Sequence, residues 1–102
     1  MTQFDLLKAR LRGVLAFPIT PYAADGHVDL DAVRANARWL PDAGINAVVA
    51  PSGTGELFGL SPEECLDVVR ATVEAIAGRI PVIASVGFGP RLQSARNTVA
   101  RA

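Results

Sequence analysis

The stretch that decides the fold is residues 47–60, which reads AVVAPSGTGELFGL. Its first four residues are apolar and turn-forming residues follow at once, so we predict a short buried strand rather than a helix. Gly53 and Gly55 allow positive φ and carry no Cβ that would hold a ligand away. The hydroxyls of Ser52 and Thr54 and the loop amides would then gather at the carboxyl end of the strand, where α/β folds bind ligands. Such a group of donors suits a carboxylate or phosphate oxygen.

Two other interpretations of the same glycines stay open. Glycines between a strand and a helix often do no more than make the turn. Gly53, Gly55 and Gly59 also form a loose G-x-G-x-x-x-G, which would bind a dinucleotide. That fingerprint needs its last glycine inside the helix and an acidic residue at the end of the next strand. Here the helix cap follows Gly59 and the next strand ends Ala84-Ser85-Val86-Gly87, so the nucleotide hypothesis is disfavoured.

Composition limits the classes of function. Of the 102 residues 50% are hydrophobic, and ten basic residues balance ten acidic ones, which is typical of a globular protein rather than a disordered or nucleic-acid-binding one. The single cysteine, Cys65, excludes a disulfide framework and a thiolate metal cluster and favours a reducing compartment. The charged amino terminus lacks a signal-peptide core, and no stretch reaches transmembrane length. We therefore expect a cytoplasmic protein with no nucleic-acid partner, no membrane association and no metal.

Around this stretch the chain repeats a strand followed by a helix. Apolar runs predict strands over residues 13–17, 45–50 and 82–86. Asp29 is the predicted N-cap of the first intervening helix, and Gly44 is its predicted C′ residue. Pro41 should kink that helix or end it early.

The second intervening helix has the stronger signals. Ser61-Pro62-Glu63-Glu64 combines a serine cap, proline at the first helical position and glutamate three residues after the cap. Gly78 should close the helix. Its predicted buried face consists of Leu66, Val69, Val73 and Ile76. A short amphipathic helix with Phe4, Leu7 and Leu11 should precede the repeats, and a further helix should begin near Arg91.

The resulting βαβαβα order predicts a parallel α/β sheet covered by helices. We expect residues 1–102 to form a single partial domain, the first three βα units of a TIM (β/α)₈ barrel. A doubly wound sheet is the alternative, although three strands would make a small one.

An ordered set of motifs resembles the start of a known superfamily. The set comprises GVLAFPITPY at 13–22, Asp25-Gly26, Ser52-Gly53-Thr54-Gly55-Glu56, Leu60-Ser61 and Pro81-Val82-Ile83-Ala84. Together they look like the amino-terminal part of the dihydrodipicolinate synthase and N-acetylneuraminate lyase superfamily. Gly53 stands where many relatives carry a second hydroxyl residue, which makes the chain most similar to the 5-dehydro-4-deoxyglucarate dehydratase branch.

The resemblance implies class I Schiff-base chemistry on a 2-oxo acid, with no cofactor and a tetrameric enzyme. A lysine of the sixth barrel strand forms the Schiff base, and a tyrosine of the fourth relays protons. The matching loop, Ser52, Gly53, Thr54 and Gly55, would bind the substrate carboxylate, with Thr54 also touching the tyrosine. Lys8 and Tyr22, the only residues of their types, match neither catalytic position. The 102-residue chain alone is therefore predicted to be inactive.

Other candidate residues are secondary. Thr20, Glu56 and Arg91 could line the site, although Glu56 could instead fix the loop by hydrogen bonds and Arg91 could be a surface residue. His27 is predicted to lie on the surface. Cys65, in the first turn of a helix, slightly favours a thiolate but is assigned no chemistry. The function hypotheses are the dehydratase, another pyruvate-type synthase or aldolase such as dihydrodipicolinate synthase, and a non-catalytic truncated fragment.

Overall fold

Strands and helices alternate in the computed structural model, which describes residues 2–85. The elements are α1 Gln3–Arg10, β1 Leu15–Ala16, α2 Leu30–Asp42, β2 Ala47–Val49, a 3₁₀ helix Leu57–Gly59, α3 Pro62–Ile76 and β3 Val82–Ile83. The sheet order is β1-β2-β3 and both pairs are parallel, with Leu15 opposite Ala47 and Val48 opposite Val82. The predicted parallel α/β arrangement is confirmed. The helix predicted near Arg91 lies outside the described residues.

The strands are shorter than the apolar runs that predicted them. Pro18 and Pro51 follow β1 and β2 closely and have no N–H to donate, so the ladders end there. Before β1, the Asn46 side chain replaces a ladder partner, because its Oδ1 accepts the Val14 N–H at 2.8 Å. Gly13 makes this possible, since a Cβ there would overlap Asn46 Oδ1 and its φ is +108°. The apolar runs therefore predict which residues follow the sheet, whereas the available backbone N–H donors determine where each strand begins and ends.

The α2 helix is capped as predicted at both ends. Asp29 Oδ1 accepts the Ala32 N–H at 3.0 Å. At the other end Gly44 has φ +86°, and its N–H donates to the Pro41 carbonyl while the Ile45 N–H donates to the Leu40 carbonyl. These two bonds form a Schellman motif. Pro41 lies inside the last turn, and the helix continues to Asp42.

The predicted capping box starts α3. Ser61 Oγ accepts the Glu64 N–H at 3.1 Å, and Glu64 Oε1 accepts the Ser61 N–H at 2.9 Å. The helix ends at Ile76, and Ala77 already has φ +52°, one residue before the predicted closure at Gly78. The capping box therefore predicts the first residue of α3 more accurately than Gly78 predicts its last residue.

The core lies where α2 and α3 pack on each other and on β2. It has two clusters, one of Val33, Leu60, Val68 and Ala71 and one of Ala37, Val48, Ala50 and Ile76. The predicted buried face of α3 is partly wrong, because Val73 is 50% exposed and Val69 only half-buried. Cys65, Val68 and Thr72 are buried instead. Val69 and Val73 lie one turn apart beside the buried stripe, so the helical spacing of the apolar residues continues past the stripe and does not locate its centre.

The α1 helix lies outside this core. Thr2 and Asp5 form a capping box, and hydrogen bonds from the Thr2 hydroxyl and then the Thr2 N–H lower the pKa of Asp5. No α1 residue is buried, although a helix was correctly predicted there. The Arg10 guanidinium donates to the carbonyls of Gly78 and Arg79, each at 3.2 Å, just beyond the end of α3. Between residues 2 and 85, no helix has the length and apolar character of a membrane span.

Candidate functional site

The loop that follows β2 lies at the carboxyl edge of the sheet. Residues 51–56 run from β2 to the 3₁₀ helix, and Thr20 lies beside them on the segment that follows β1. Parallel pairing brings the carboxyl ends of both strands to one edge, so the loop and Thr20 meet although 35 positions separate Thr20 from Gly55. The sequence predicted this placement for the loop.

Backbone hydrogen bonds fold the loop into a closed turn. The Glu56 N–H donates to the Gly53 carbonyl and the Leu57 N–H donates to the Ser52 carbonyl, both at 3.0 Å. The peptide bond between Ala50 and the fully buried Pro51 is cis, a feature that no sequence pattern signalled. Neither Gly53 nor Gly55 uses the positive φ that glycine allows. Glu56 is the loop residue in the left-handed region, with φ +59°.

The two glycines have different surroundings. A Cβ on Gly55 would lie 3.0 Å from Thr20 Oγ1, 3.1 Å from the Pro18 carbonyl oxygen and 3.3 Å from the Ser52 nitrogen. A Cβ on Gly53 would meet nothing within 4 Å. Gly55 therefore serves close packing of the loop against the β1 side, whereas Gly53 leaves open space.

The loop carries several donors without partners. Within residues 2–85, the amides of positions 52–55 donate to no acceptor, and neither do the hydroxyls of Ser52 and Thr54. Thr54 and Gly53 are exposed, Ser52 is half-buried and Gly55 is buried. Neighbouring N–H and O–H groups without partners are the kind of donor set that binds an oxyanion. The arrangement can hold a carboxylate through charge-assisted hydrogen bonds.

Thr20 contacts the loop from the segment that follows β1. It is 8% exposed, and its Oγ1 donates to the Gly55 carbonyl at 2.6 Å. Beneath the loop a cavity of about 10 Å³, bordered by Thr20, Pro51 and Thr72 among others, has room for one water at most. The cavity is therefore too small for an organic substrate.

The other residues singled out in the sequence are Glu56, Arg91 and His27. The Glu56 side chain is exposed and makes no hydrogen bond to residues 2–85, so within that range the predicted loop-fixing role is wrong. Arg91 lies outside the described residues. His27 is on the surface as predicted, with its side chain 83% exposed and Nδ1 3.3 Å from Asp25, and the hydrogen bond from its backbone N–H lowers the pKa of that carboxyl.

Cys65 and the possible metal-binding side chains remain among the described residues. Cys65 is fully buried, and burial raises the pKa of its thiol, so the slight preference for a thiolate was wrong. No group of three or more histidine, cysteine or acidic side chains within residues 2–85 is placed to hold a metal ion.

A parallel βα sheet with a loop of unpartnered donors at its carboxyl edge is typical of α/β enzymes, which bind their ligands at that edge. Residues 10–100 match the Dihydrodipicolinate synthetase family, and the chain belongs to this family. A protein named Probable 5-dehydro-4-deoxyglucarate dehydratase 1 from Streptomyces coelicolor is 49% identical over 89 residues, which cover 84% of this chain and 28% of that protein.

Two solved structures agree with the fold. Dihydrodipicolinate synthase from Aquifex aeolicus superposes with a TM-score of 0.81 at 34% identity, over 88% of this chain and 30% of that one. The chloride-inhibited dihydrodipicolinate synthase from Acinetobacter baumannii, complexed with pyruvate, gives 0.70 at 35% identity, over 74% and 26%. The three units of this chain are therefore part of a TIM barrel, as predicted, and span under a third of these relatives.

Experiments on a whole barrel can use a chimaera. In what we name the barrel chimaera, residues 10–100 of this chain replace the matching segment of the Streptomyces coelicolor relative. This chain is 49% identical to that relative over 89 residues, so the barrel chimaera is suited to comparing substitutions in the loop.

Glu56 provides a first prediction in the barrel chimaera. Its left-handed backbone costs a side-chain-bearing residue roughly 1 kcal/mol that glycine does not incur. We expect Glu56→Gly to be more stable than Glu56→Ala by about 1 kcal/mol in urea unfolding. Both variants lose the carboxylate, so their difference reports the backbone alone. Equal stabilities would show that residue 56 is not left-handed in the whole barrel.

Proposed function

We propose that this chain supplies the carboxylate-binding part of a lyase that dehydrates and decarboxylates 5-dehydro-4-deoxyglucarate to 2,5-dioxopentanoate. The observation that carries the proposal is the set of unpartnered amides and hydroxyls at positions 52–55, at the carboxyl edge of the sheet. The name of the relative that is 49% identical supports the substrate. The pyruvate complex of the Acinetobacter enzyme supports a 2-oxo acid more generally.

The loop residues have separate roles in this proposal. The amides of Gly53 and Gly55 and the hydroxyl of Ser52 bind the substrate carboxylate. Thr54 contacts the carboxylate and also hydrogen-bonds a tyrosine hydroxyl supplied by a later strand. A later lysine forms the Schiff base, which serves as the electron sink, so the reaction needs no cofactor. A nucleophilic lysine requires a lowered pKa in a partly desolvated site, which a closed barrel mouth provides.

Gly53 favours the dehydratase over a synthase. A residue with a hydroxyl at this position would add one group to the proton relay that serves condensation with an aldehyde. Gly53 leaves open space instead, with no described atom within 4 Å of a Cβ placed there. That space suits a six-carbon diacid. The second candidate, dihydrodipicolinate synthase, is supported by the two solved relatives.

Two further features belong to the proposal. The active enzyme is a homotetramer in the cytoplasm, and it has a small-molecule substrate and no nucleic-acid partner. The single cysteine, buried and free, is compatible with a reducing compartment.

The test is to assay the barrel chimaera with both substrate sets. We expect turnover of 5-dehydro-4-deoxyglucarate and little condensation of pyruvate with aspartate semialdehyde. A preference for the condensation would contradict the assignment to the dehydratase branch but not the membership of the family. Borohydride with pyruvate should trap an adduct in the chimaera. The same treatment of residues 1–102 alone should give none, and a stable adduct on Lys8 would contradict the assigned roles.

A further inference from the structure

Thr20 holds the loop of residues 51–56 through the Gly55 carbonyl. Its hydroxyl donates to that carbonyl at 2.6 Å. Thr20 is 8% exposed, so water competes little for either partner. A short buried bond of this kind holds its carbonyl in one orientation.

The Gly55 carbonyl belongs to a peptide unit that is hydrogen-bonded at both ends. The bond between Gly55 and Glu56 is trans and planar, so the Gly55 carbonyl and the Glu56 N–H point in opposite directions. The Glu56 N–H donates to the Gly53 carbonyl at 3.0 Å, which closes the turn. Thr20 on one side and Gly53 on the other therefore fix the plane of this single peptide unit.

The orientation of the peptide unit between Gly55 and Glu56 affects where the unpartnered N–H groups of the loop point. The amides of positions 53–55 lie within the turn that the Glu56 N–H closes, and Ser52 directly precedes it. Rotation of the held peptide unit would break the bond that closes the turn and change the directions of those amides. Gly55 is needed for the same contact, because a Cβ there would lie 3.0 Å from Thr20 Oγ1.

From this geometry we propose that Thr20 is a positioning residue, which acts through Gly55 to orient the carboxylate-binding amides. The inference rests on the proposed function, since it assigns the loop to a substrate carboxylate. Thr20 does not touch the substrate in this role. Its effect is on substrate binding, because misdirected donors bind the carboxylate less well in the ground state as well as in the transition state.

The test compares three variants of the barrel chimaera. Thr20→Val keeps the shape and removes the donor, and we expect a rise in KM of about tenfold with a smaller fall in kcat, since one hydrogen bond that orients the site is lost. Thr20→Ser keeps the donor and should restore KM to within about twofold. Thr72→Val is the matched control, because Thr72 is 2% exposed and its hydroxyl donates to the Val68 carbonyl inside α3 rather than to a loop atom.

A role in stability alone would give a different result. It would reduce the amount of active enzyme, and so the apparent kcat, at unchanged KM, and it would affect Thr72→Val as much as Thr20→Val. Either of these results overturns the inference. Hydrogen exchange measured by mass spectrometry gives an answer that needs no activity. We expect faster exchange of the peptide covering residues 52–57 in Thr20→Val only, and unchanged exchange there overturns the inference even if the chimaera proves inactive.

Discussion

Replacing Thr54 by valine in the barrel chimaera is expected to lower kcat by about 10- to 1,000-fold, the scale of losing one preorganised donor. Thr54 is exposed, and its hydroxyl has no partner within residues 2–85. Valine therefore removes no hydrogen bond that holds these residues together. The loss should appear in turnover, because the hydroxyl is proposed to act on the tyrosine that relays protons as well as on the carboxylate.

Two measurements make this prediction specific. Thr54→Ser keeps the hydroxyl and should retain most of the turnover. Urea unfolding of Thr54→Val should match that of the parent chimaera, since valine and threonine have similar shapes and the side chain is exposed. A kcat within about threefold of the parent would contradict the assigned role, because a preorganised donor is worth more than that.

Adding a methyl group to Gly55 is expected to have the second largest effect. The new Cβ would lie 3.1 Å from the Pro18 carbonyl, a backbone atom, and 3.0 Å from Thr20 Oγ1. The loop must move to relieve both contacts. We expect Gly55→Ala to lower the free energy of unfolding by about 1–3 kcal/mol, as overpacking does. Displacing the amides by about 1 Å should also lower kcat/KM about 100-fold.

Gly53→Ala is the matched control for stability. Its Cβ would meet no described atom within 4 Å, and its φ is outside the left-handed region. We therefore expect its stability to be unchanged or raised by up to about 1 kcal/mol, because alanine restricts the unfolded chain. Urea unfolding followed by circular dichroism measures both variants. If Gly55→Ala were as stable as Gly53→Ala, the close approach of the loop to the β1 segment would be refuted.

The sequence predicts those parts of the fold that are encoded locally. Asp29 and Ser61 accept backbone N–H groups within their own first turns, so composition and spacing reveal both helix starts. The parallel order follows from apolar strands separated by helices. The buried side of α3 could not be located in this way, because it depends on how α2 and the sheet approach a helix whose apolar residues extend beyond the buried stripe to Val69 and Val73.

For the candidate site, the sequence places the loop but not its internal geometry. The residues with free donors were predicted from their types and position. The left-handed conformation of Glu56 was not predicted, because residue type indicates only which conformations are cheap and points to the neighbouring glycines instead. The bond from Thr20 to Gly55 joins residues 35 positions apart, and no local pattern signals a contact of that kind. Such contacts arise from the packing of β1 beside β2.

The position of α1 has a consequence for the energetics of the chain. No residue of this helix is buried, and the side-chain hydrogen bonds that link it to the other described elements both come from Arg10. These bonds join residues 68 and 69 positions apart, so they form only after the end of α3 is in place. Within residues 2–85, separating α1 from the core breaks these two exposed hydrogen bonds and exposes no residue of α1 that was buried. We therefore expect α1 to open more often than the core of α2, α3 and β2 unfolds.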